Sequence, residues 1–419
     1  MHQKNRLVIS LLPTDTQTIL AVQIWRGPIN SHIRPNRILP LIILAQFLGT
    51  ASWFAGNAVL PSLTNLWGLE VGALAQVTNA VQLGFITGAL LFALFSLSDR
   101  LRPSHLFFLC ALLSALINLV SAYLVENLMQ LTLLRFLAGF MLAGIYPVGM
   151  KLAATWYPEG LGRALGFLVG SLALGTAAPH LFAAYDQIDW RQVMGLVAAL
   201  NLFSGLIILL AVGEGPNRLS PAPVRLRQIR GLWNMSKLRA SALGYFGHMW
   251  ELYAIWAIAP IWIAAWANYH QFELSISLGS FSIIAIGALG CALGGIWSQR
   301  IGSAVIASRM LTISGICCLL SPLIFETNIW LTTMFWVVWG FAIVADSPQF
   351  SALSAQNAPP EAVGTALTLI NAVGFTLTLI AIQLSVTLLQ WLPVAWIPLI
   401  LLPGPILGVI AMRPLTKKL

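Results

Sequence analysis

The feature that most constrains this chain is a succession of twelve long apolar segments. Each has about 20 residues or more, the length that an α-helix needs to cross the hydrocarbon of a bilayer. Of the 419 residues, 58% are hydrophobic and 8% are charged, so a water-soluble fold could not bury the apolar surface. The sequence therefore predicts an all-α membrane protein. The predicted spans are 38–60, 72–96, 105–125, 128–150, 163–185, 192–213, 240–265, 275–297, 303–325, 328–352, 363–389 and 391–412.

Six spans precede and six follow a polar, basic middle segment, which predicts two six-helix bundles joined by a linker. In the first 37 residues no long apolar core precedes a cleavage site, so we expect no cleavable signal. The predicted units are a cytoplasmic N-terminal extension at 1–37, the first bundle at 38–213, the linker at 214–239, the second bundle at 240–412 and a cytoplasmic tail at 413–419.

The basic residues indicate how the spans are oriented. If the linker and both termini lie on one side of the membrane, 20 of the 22 Lys and Arg residues lie on that side, and the exceptions are Arg135 and Arg191. Such an asymmetry marks the cytoplasmic side of a membrane protein. We therefore expect both termini in the cytoplasm and the spans in a plasma membrane.

An internal repeat relates the two bundles. The pattern PExxGxAL at 158–165 returns at 360–367, and Gly139 corresponds to Gly340, within a set of matches at offsets of 199 to 202 residues. Duplicated membrane bundles typically rock against each other around a central binding site. The repeat thus predicts two pseudo-symmetric bundles and a transporter that works by alternating access.

Other classes of protein find little support in the composition. Although the net charge is +9, the basic residues sort by membrane side and form no patch, so we expect no nucleic-acid partner. The four cysteines lack CxxC spacing and the six histidines lack an HExxH pattern, which argues against a disulfide framework or a metal site. No P-loop pattern occurs. We predict that the chain is not an enzyme and needs no cofactor.

A charged motif follows the second predicted span. It contains Asp99, Arg100 and Arg102, and the matching loop of the second half contains Gln299 and Arg300. Asp99 could cap a helix N-terminus and exchange Arg partners between two bundle orientations, as a gating latch would. The alternative is that these residues only anchor the topology. With Gln in place of the acid, the second copy must pair its charges differently.

The fourth span contains the sequence RFLAG, with Arg135 and Gly139. Together with the charged loops and the two related halves of six spans, this element resembles the major facilitator superfamily over residues 38–412. The resemblance implies secondary transport and associates Arg135 with proton coupling or substrate contact. The stretches GHMWELYAIWAIAP and ADSPQFSAL are similar to a bacterial permease branch of that family, which implies a bacterial inner membrane.

Few ionisable residues lie inside the spans, and each is a functional candidate because its insertion costs about 2.5–3.5 kcal/mol or more. In the seventh span, His248 and Glu251 are three residues apart and share a helix face. We predict that they form a pair in which Glu251 carries the coupled proton. The alternative is that His248 only satisfies Glu251 and holds the fold.

Two further charged residues lie in the even-numbered spans. Asp346 is predicted near the cytoplasmic end of the tenth span, where Pro348 breaks the helix, so it either gates the inner mouth or caps the broken helix. Arg135 lies about 10 Å along the fourth span, counted from the end of that span opposite the cytoplasm. It is predicted to attract an anionic substrate or to pair with a carboxylate.

Aromatic and amide side chains inside the spans suggest a wall for a central cavity. The candidates are Trp53, Trp250 and Tyr253 for stacking on an organic solute, and Asn57 and Gln82 for hydrogen bonding. The alternative for the tryptophans is an aromatic belt at the membrane interface.

We therefore predict a monomeric secondary active transporter that moves a small polar or anionic organic solute, by proton symport into the cell. One alternative is a proton-driven exporter of drugs or metabolites. A second alternative, from a different class, is a membrane sensor that keeps the fold without transporting. The predicted partners are the small-molecule substrate, protons and the lipid bilayer.

Overall fold

The computed structural model describes residues 37–157, 161–185, 187–217, 229–359 and 362–416. All regular elements in these ranges are helical, and twelve helical segments are long and apolar enough to cross a membrane, which confirms the all-α membrane fold. The spans are Ile38–Trp67, Gly72–Leu94, Pro103–Tyr123, Leu128–Trp156, Ala164–Ala183, Trp190–Val212, Ser236–Tyr269, Ile276–Ile301, Ser303–Phe325, Ile329–Asn357, Val363–Leu388 and Val394–Thr416. Two short helices, Leu97–Arg100 and Ile229–Asn234, lie outside the spans.

Residues 1–36 of the predicted N-terminal extension, 218–228 of the predicted linker and 417–419 of the predicted C-terminal tail lie outside the described residues. The beginning of the linker is described and is attached to the first bundle. The carboxylate of Glu214 accepts hydrogen bonds from the backbone N–H and the hydroxyl of Ser104, at 2.9 and 2.6 Å. Because Ser104 lies in the first turn of the third span, the acid offsets unpaired donors at that helix N-terminus.

Several spans are not continuous α-helices. The first span consists of Ile38–Thr50 and Ala55–Trp67, separated by a turn at 51–54. The tenth consists of Ile329–Ala345 and Ser347–Asn357, which meet at Asp346. The sixth ends in the π-helix Ile207–Val212, and the twelfth is built from Val394–Trp396, Ile397–Leu401 and Pro403–Thr416. The breaks in the first and tenth spans coincide with residues that the sequence singles out as site candidates.

The repeat in the sequence corresponds to a repeated packing contact. A Cβ atom on Gly139 would collide with the carbonyl of Val81, and one on Gly340 would collide with the carbonyl of Ile283. Glycine at these positions lets the fourth span lie directly on the second, and the tenth directly on the eighth. Val81 and Ile283 are themselves 202 residues apart, so the two halves share this arrangement.

Contacts between the halves occur at both ends of the bundle, which we call the near end, where Ile38 begins the first span, and the far end, where Trp67 ends it. At the near end, Gly166 of the fifth span faces Cys291 and Gly295 of the eighth. At the far end, the Asn79 amide of the second span donates to Leu379 O in the eleventh, at 3.4 Å, and to Gln383 Oε1, at 3.5 Å. The two halves are thus in contact on both sides of the middle of the interface.

Candidate functional site

Aromatic rings from both halves meet around the break in the first span. Trp53 and Phe54 lie in the turn at 51–54 and are 1% and 0% exposed. The Trp53 ring stacks on Tyr253 with centroids 5.7 Å apart, and lies 4.9 Å from Phe85. Phe54 meets Trp256 edge to face at 6.2 Å. We call the following residues the central cluster: Trp53, Phe54, Phe85, Tyr253, Trp256 and Phe375.

The turn explains how two consecutive residues of one span can both face this cluster. In an uninterrupted helix, neighbouring side chains point about 100° apart. Here the helix ends at Thr50 and restarts at Ala55, so Trp53 and Phe54 lie in non-helical backbone. Non-helical backbone at membrane depth is tolerated when protein surrounds it, and in transporters it marks binding sites.

Polar side chains border the cluster and keep unused hydrogen-bonding capacity. The Asn57 amide donates to the Thr78 hydroxyl at 2.7 Å, while its Oδ1 has no partner. Trp53 Nε1 and both side-chain polar atoms of Gln82 are buried without a partner in the described residues. An apolar centre with a few unpaired polar groups is typical of a small-molecule site.

Arg135 is completely buried inside the first bundle. Its Nη2 donates to Asn118 Oδ1 and to Ser121 Oγ, both at 2.9 Å, and its aliphatic stem packs beside Gly56 of the first span. Its Nε and Nη1 have no hydrogen-bond partner, and no carboxylate of the described residues forms an ion pair with it. The predicted alternative of a carboxylate partner is thus not observed in the described residues.

A polar network that the sequence analysis did not single out holds Arg135 in place. Asn118 also donates to Ser52 Oγ at 2.8 Å and to Asn201 Oδ1 at 3.1 Å. The network therefore connects the first, third, fourth and sixth spans. A possible signal was the presence of an amide in both the third and the sixth predicted spans, but periodicity does not show that they face the same point.

The second bundle contains a cluster of acids, and its pairing differs from the prediction. His248 Nδ1 lies 2.9 Å from Asp346 Oδ1, and both side chains are 0% exposed. Glu251, also 0% exposed, accepts a weak hydrogen bond from Cys318 Sγ at 3.5 Å. No ion pair joins His248 to Glu251 in the described residues, so the predicted pair is wrong. The break at Asp346 places that carboxylate against His248, and Glu251 faces the ninth span.

Asp346 lies at the break within the tenth span. The helix continues for eleven residues beyond it, to Asn357, which corresponds to about 17 Å of helix. Its side chain is at the N-cap position of Ser347–Asn357 but forms no capping hydrogen bond, so the predicted capping role is not observed. The acid is a buried partner of His248 at the helix break, and its position near the cytoplasmic end and its role as a gate stay predictions.

Other predicted residues lie apart from the central cluster. Trp250 packs on Gly404 of the twelfth span, so we leave it out of the site.

Four residues of the charged loops are exposed, and the side chain of Asp99 lies outside the described residues, so the latch stays a prediction. The exposed residues are Arg100, Arg102, Gln299 and Arg300.

His180 in the fifth span is a residue that the sequence analysis missed. It is 2% exposed, its ring centroid lies 6.4 Å from that of Phe54, and its Nε2 has no hydrogen-bond partner in the described residues. The available signal was an ionisable group inside a predicted span.

Comparison with known proteins agrees with this architecture. The chain is 29% identical over 202 residues to the 4-hydroxybenzoate transporter PcaK of Pseudomonas aeruginosa, and 28% identical over 184 residues to PcaK of Pseudomonas putida. These matches cover 46% and 42% of this chain, and 44% and 40% of those relatives, so they span less than half of either relative.

The fold resembles the inward-facing, unoccupied crystal structure of a bacterial homologue of the human lysosomal transporter Spinster. The TM-score is 0.70 at 14% identity, over 92% of this chain and 98% of that one. The family model described as the Major Facilitator Superfamily matches residues 42–413. The match covers nearly the whole chain and confirms the resemblance seen in the motifs, so the chain belongs to the Major Facilitator Superfamily.

Proposed function

We propose that this chain imports a small organic anion with a planar aromatic part, together with protons, by alternating access. The observation that carries the proposal is the central cluster, in which rings of both halves meet at a broken helix with unpaired polar atoms beside them. Rings arranged in this way can stack on a planar solute. The similarity to transporters named for 4-hydroxybenzoate supports the same substrate class.

Arg135 supports the anionic character of the solute. A buried guanidinium without a carboxylate partner is costly, and an entering carboxylate would offset that cost. Asn118 and Ser121 fix one nitrogen of the guanidinium and leave Nε and Nη1 for the ligand. Contact between Arg135 and the solute requires local rearrangement, because the side chain is fully enclosed.

The acid cluster supports proton coupling. Asp346 has an ion-pair partner in His248, whereas Glu251 contacts the neutral side chains of Cys318 and Ser314 and forms no ion pair in the described residues. A charged carboxylate without a cationic partner is costly in an apolar interior. The carrier should therefore reorient when this carboxyl is protonated and neutral. In this proposal Glu251 takes up the proton before the loaded carrier reorients, and the His248 and Asp346 pair stays inside the second bundle.

The proposed orientation follows from the basic residues. The near end faces the cytoplasm of a bacterial cell, and the far end faces outward. Because one chain supplies the whole central cluster, the proposed working unit is a monomer.

Uptake into liposomes tests the proposal. We expect purified protein to accumulate labelled benzoate or 4-hydroxybenzoate when the outside is acidic, and accumulation to stop when a protonophore removes the gradient. Accumulation driven only by a gradient of the opposite sign, with the inside acidic, would indicate export. Absence of uptake of both acids under either gradient would contradict the substrate class.

A further inference from the structure

The fifth span presents two buried polar side chains that the proposed transport cycle does not use. Thr176 Oγ1 and His180 Nε2 lack hydrogen-bond partners in the described residues, and the side chains are 0% and 2% exposed. The two residues are four apart, so they lie on one face of the helix. Buried polar atoms are normally paired, which makes two unpaired groups on one face a reason to expect a ligand.

The neighbours of the fifth span define the direction of that face. Gly170 lies against Ala288 of the eighth span, and Gly175 lies against Phe47 and Thr50 of the first. At about 100° per residue, Thr176 and His180 point away from both of these contacts, by about 80° to 140°. The surroundings of the pair therefore follow from its burial and from the ring contact of His180.

Direct ring contacts place His180 at the edge of the central cluster. Its ring lies 6.4 Å from Phe54, and Phe54 in turn lies 6.4 Å from Tyr253 and 6.2 Å from Trp256, both in the second half. A solute stacked on these rings would lie beside His180, and Thr176 lies one turn earlier on the same face of the helix.

We infer that Thr176 and His180 form a subsite for an uncharged hydrogen-bonding group of the solute, such as a hydroxyl, carbonyl or amide. A neutral imidazole and a hydroxyl each donate and accept, which matches a group of this kind. No described basic residue forms a hydrogen bond with Thr176 Oγ1 or His180 Nε2, so the pair offers a carboxylate no cationic partner. The inference rests on the proposed function and names a specificity determinant within the same site.

A matched pair of solutes tests the subsite, since 4-hydroxybenzoate and benzoate differ by one hydroxyl group. We expect wild-type protein in liposomes to prefer 4-hydroxybenzoate in kcat/KM by about ten-fold, as one buried hydrogen bond allows. Thr176→Val and His180→Leu should each bring the ratio close to one and leave benzoate uptake within about two-fold of wild type.

Two further variants separate recognition from structure. His180→Gln keeps a donor and an acceptor and should restore part of the preference. Thr376→Val changes an exposed threonine of the eleventh span, whose hydroxyl donates to Ala372 O at 2.8 Å, and should leave the ratio unchanged. Thermal unfolding in detergent shows whether each variant is folded.

Three results would overturn the subsite. One is a preference that persists in both Thr176→Val and His180→Leu, and another is an equal loss of both solutes in folded variants, which indicates a structural role. In either case uptake by the wild type leaves the proposed function intact. If the wild type transports neither acid, the proposed function fails and the subsite fails with it.

Discussion

At the scale of single residues, the two buried carboxylates of the second bundle have different partners and should respond differently to neutralisation. Asp346 lies 2.9 Å from His248, whereas Glu251 is in contact with Cys318. Removing one member of a buried charge pair leaves the other uncompensated, which typically costs about 3–5 kcal/mol. Removing an unpaired acid has no such cost.

We therefore expect Asp346→Asn to lower the free energy of unfolding by about 3 kcal/mol and Glu251→Gln to leave it nearly unchanged. Chemical unfolding of the two purified variants in the same detergent measures this difference. Equal destabilisation by both substitutions would show that the His248 pairing is not what distinguishes the two acids.

Arg135 should be sensitive even to a substitution that preserves its charge. Lysine cannot reproduce the planar donor arrangement that reaches Asn118 and Ser121. We expect Arg135→Lys to raise the KM for benzoate by at least about ten-fold, as measured by initial uptake rates. Arg191→Lys, at an exposed position, is the matched control and should leave KM unchanged. An unaltered KM in Arg135→Lys would contradict a role in holding the anion.

The sequence identified several of these residues but not their partners. Trp53, Tyr253 and Arg135 stand out because aromatic or charged side chains inside a span are rare and costly. The pairing of His248 with Asp346 depends on how the seventh and tenth spans are rotated against each other, and helical spacing within one span does not contain that information. For the same reason, helical spacing does not show that Asn118 contacts Arg135.

At the scale of helices, glycines determine how closely the spans of each half can pack. We expect Gly139→Val to destabilise the protein by about 1–3 kcal/mol, because a side chain there collides with the Val81 backbone. Gly195→Ala adds a Cβ with nothing within 4 Å and should be neutral or stabilising by up to about 1 kcal/mol. Melting temperatures of the two variants test the contrast, and equal effects would contradict it.

The helix breaks were only partly predictable. Pro348 signals a break in the tenth span, but the sequence does not indicate that a helix continues from Ser347 to Asn357. The turn at 51–54 contains neither glycine nor proline. Tertiary contacts of Trp53 and Phe54 with the second half accompany that turn, and local propensity does not predict them.

At the scale of the whole molecule, contacts between the halves at the near and far ends must open in turn for alternating access. Asn79 and Gln383 belong to the far-end contact. We expect a short thiol-specific cross-link in the double variant Asn79→Cys and Gln383→Cys to reduce uptake at least ten-fold. All four native cysteines are buried, and single variants treated with the same reagent are the controls. Uptake that continues through the cross-linked protein would contradict opening at the far end.

The proposed transport cycle depends on a proton that moves with the solute through Glu251. The most direct test is to reconstitute the protein in liposomes and record internal pH while 4-hydroxybenzoate or benzoate is added outside. Glu273→Gln, which changes an exposed acid in a loop, serves as the control for Glu251→Gln. We predict solute-dependent acidification of the interior with wild type and Glu273→Gln, and its loss with Glu251→Gln. Equal acidification with Glu251→Gln, or solute uptake by the wild type without any pH change, would contradict the account.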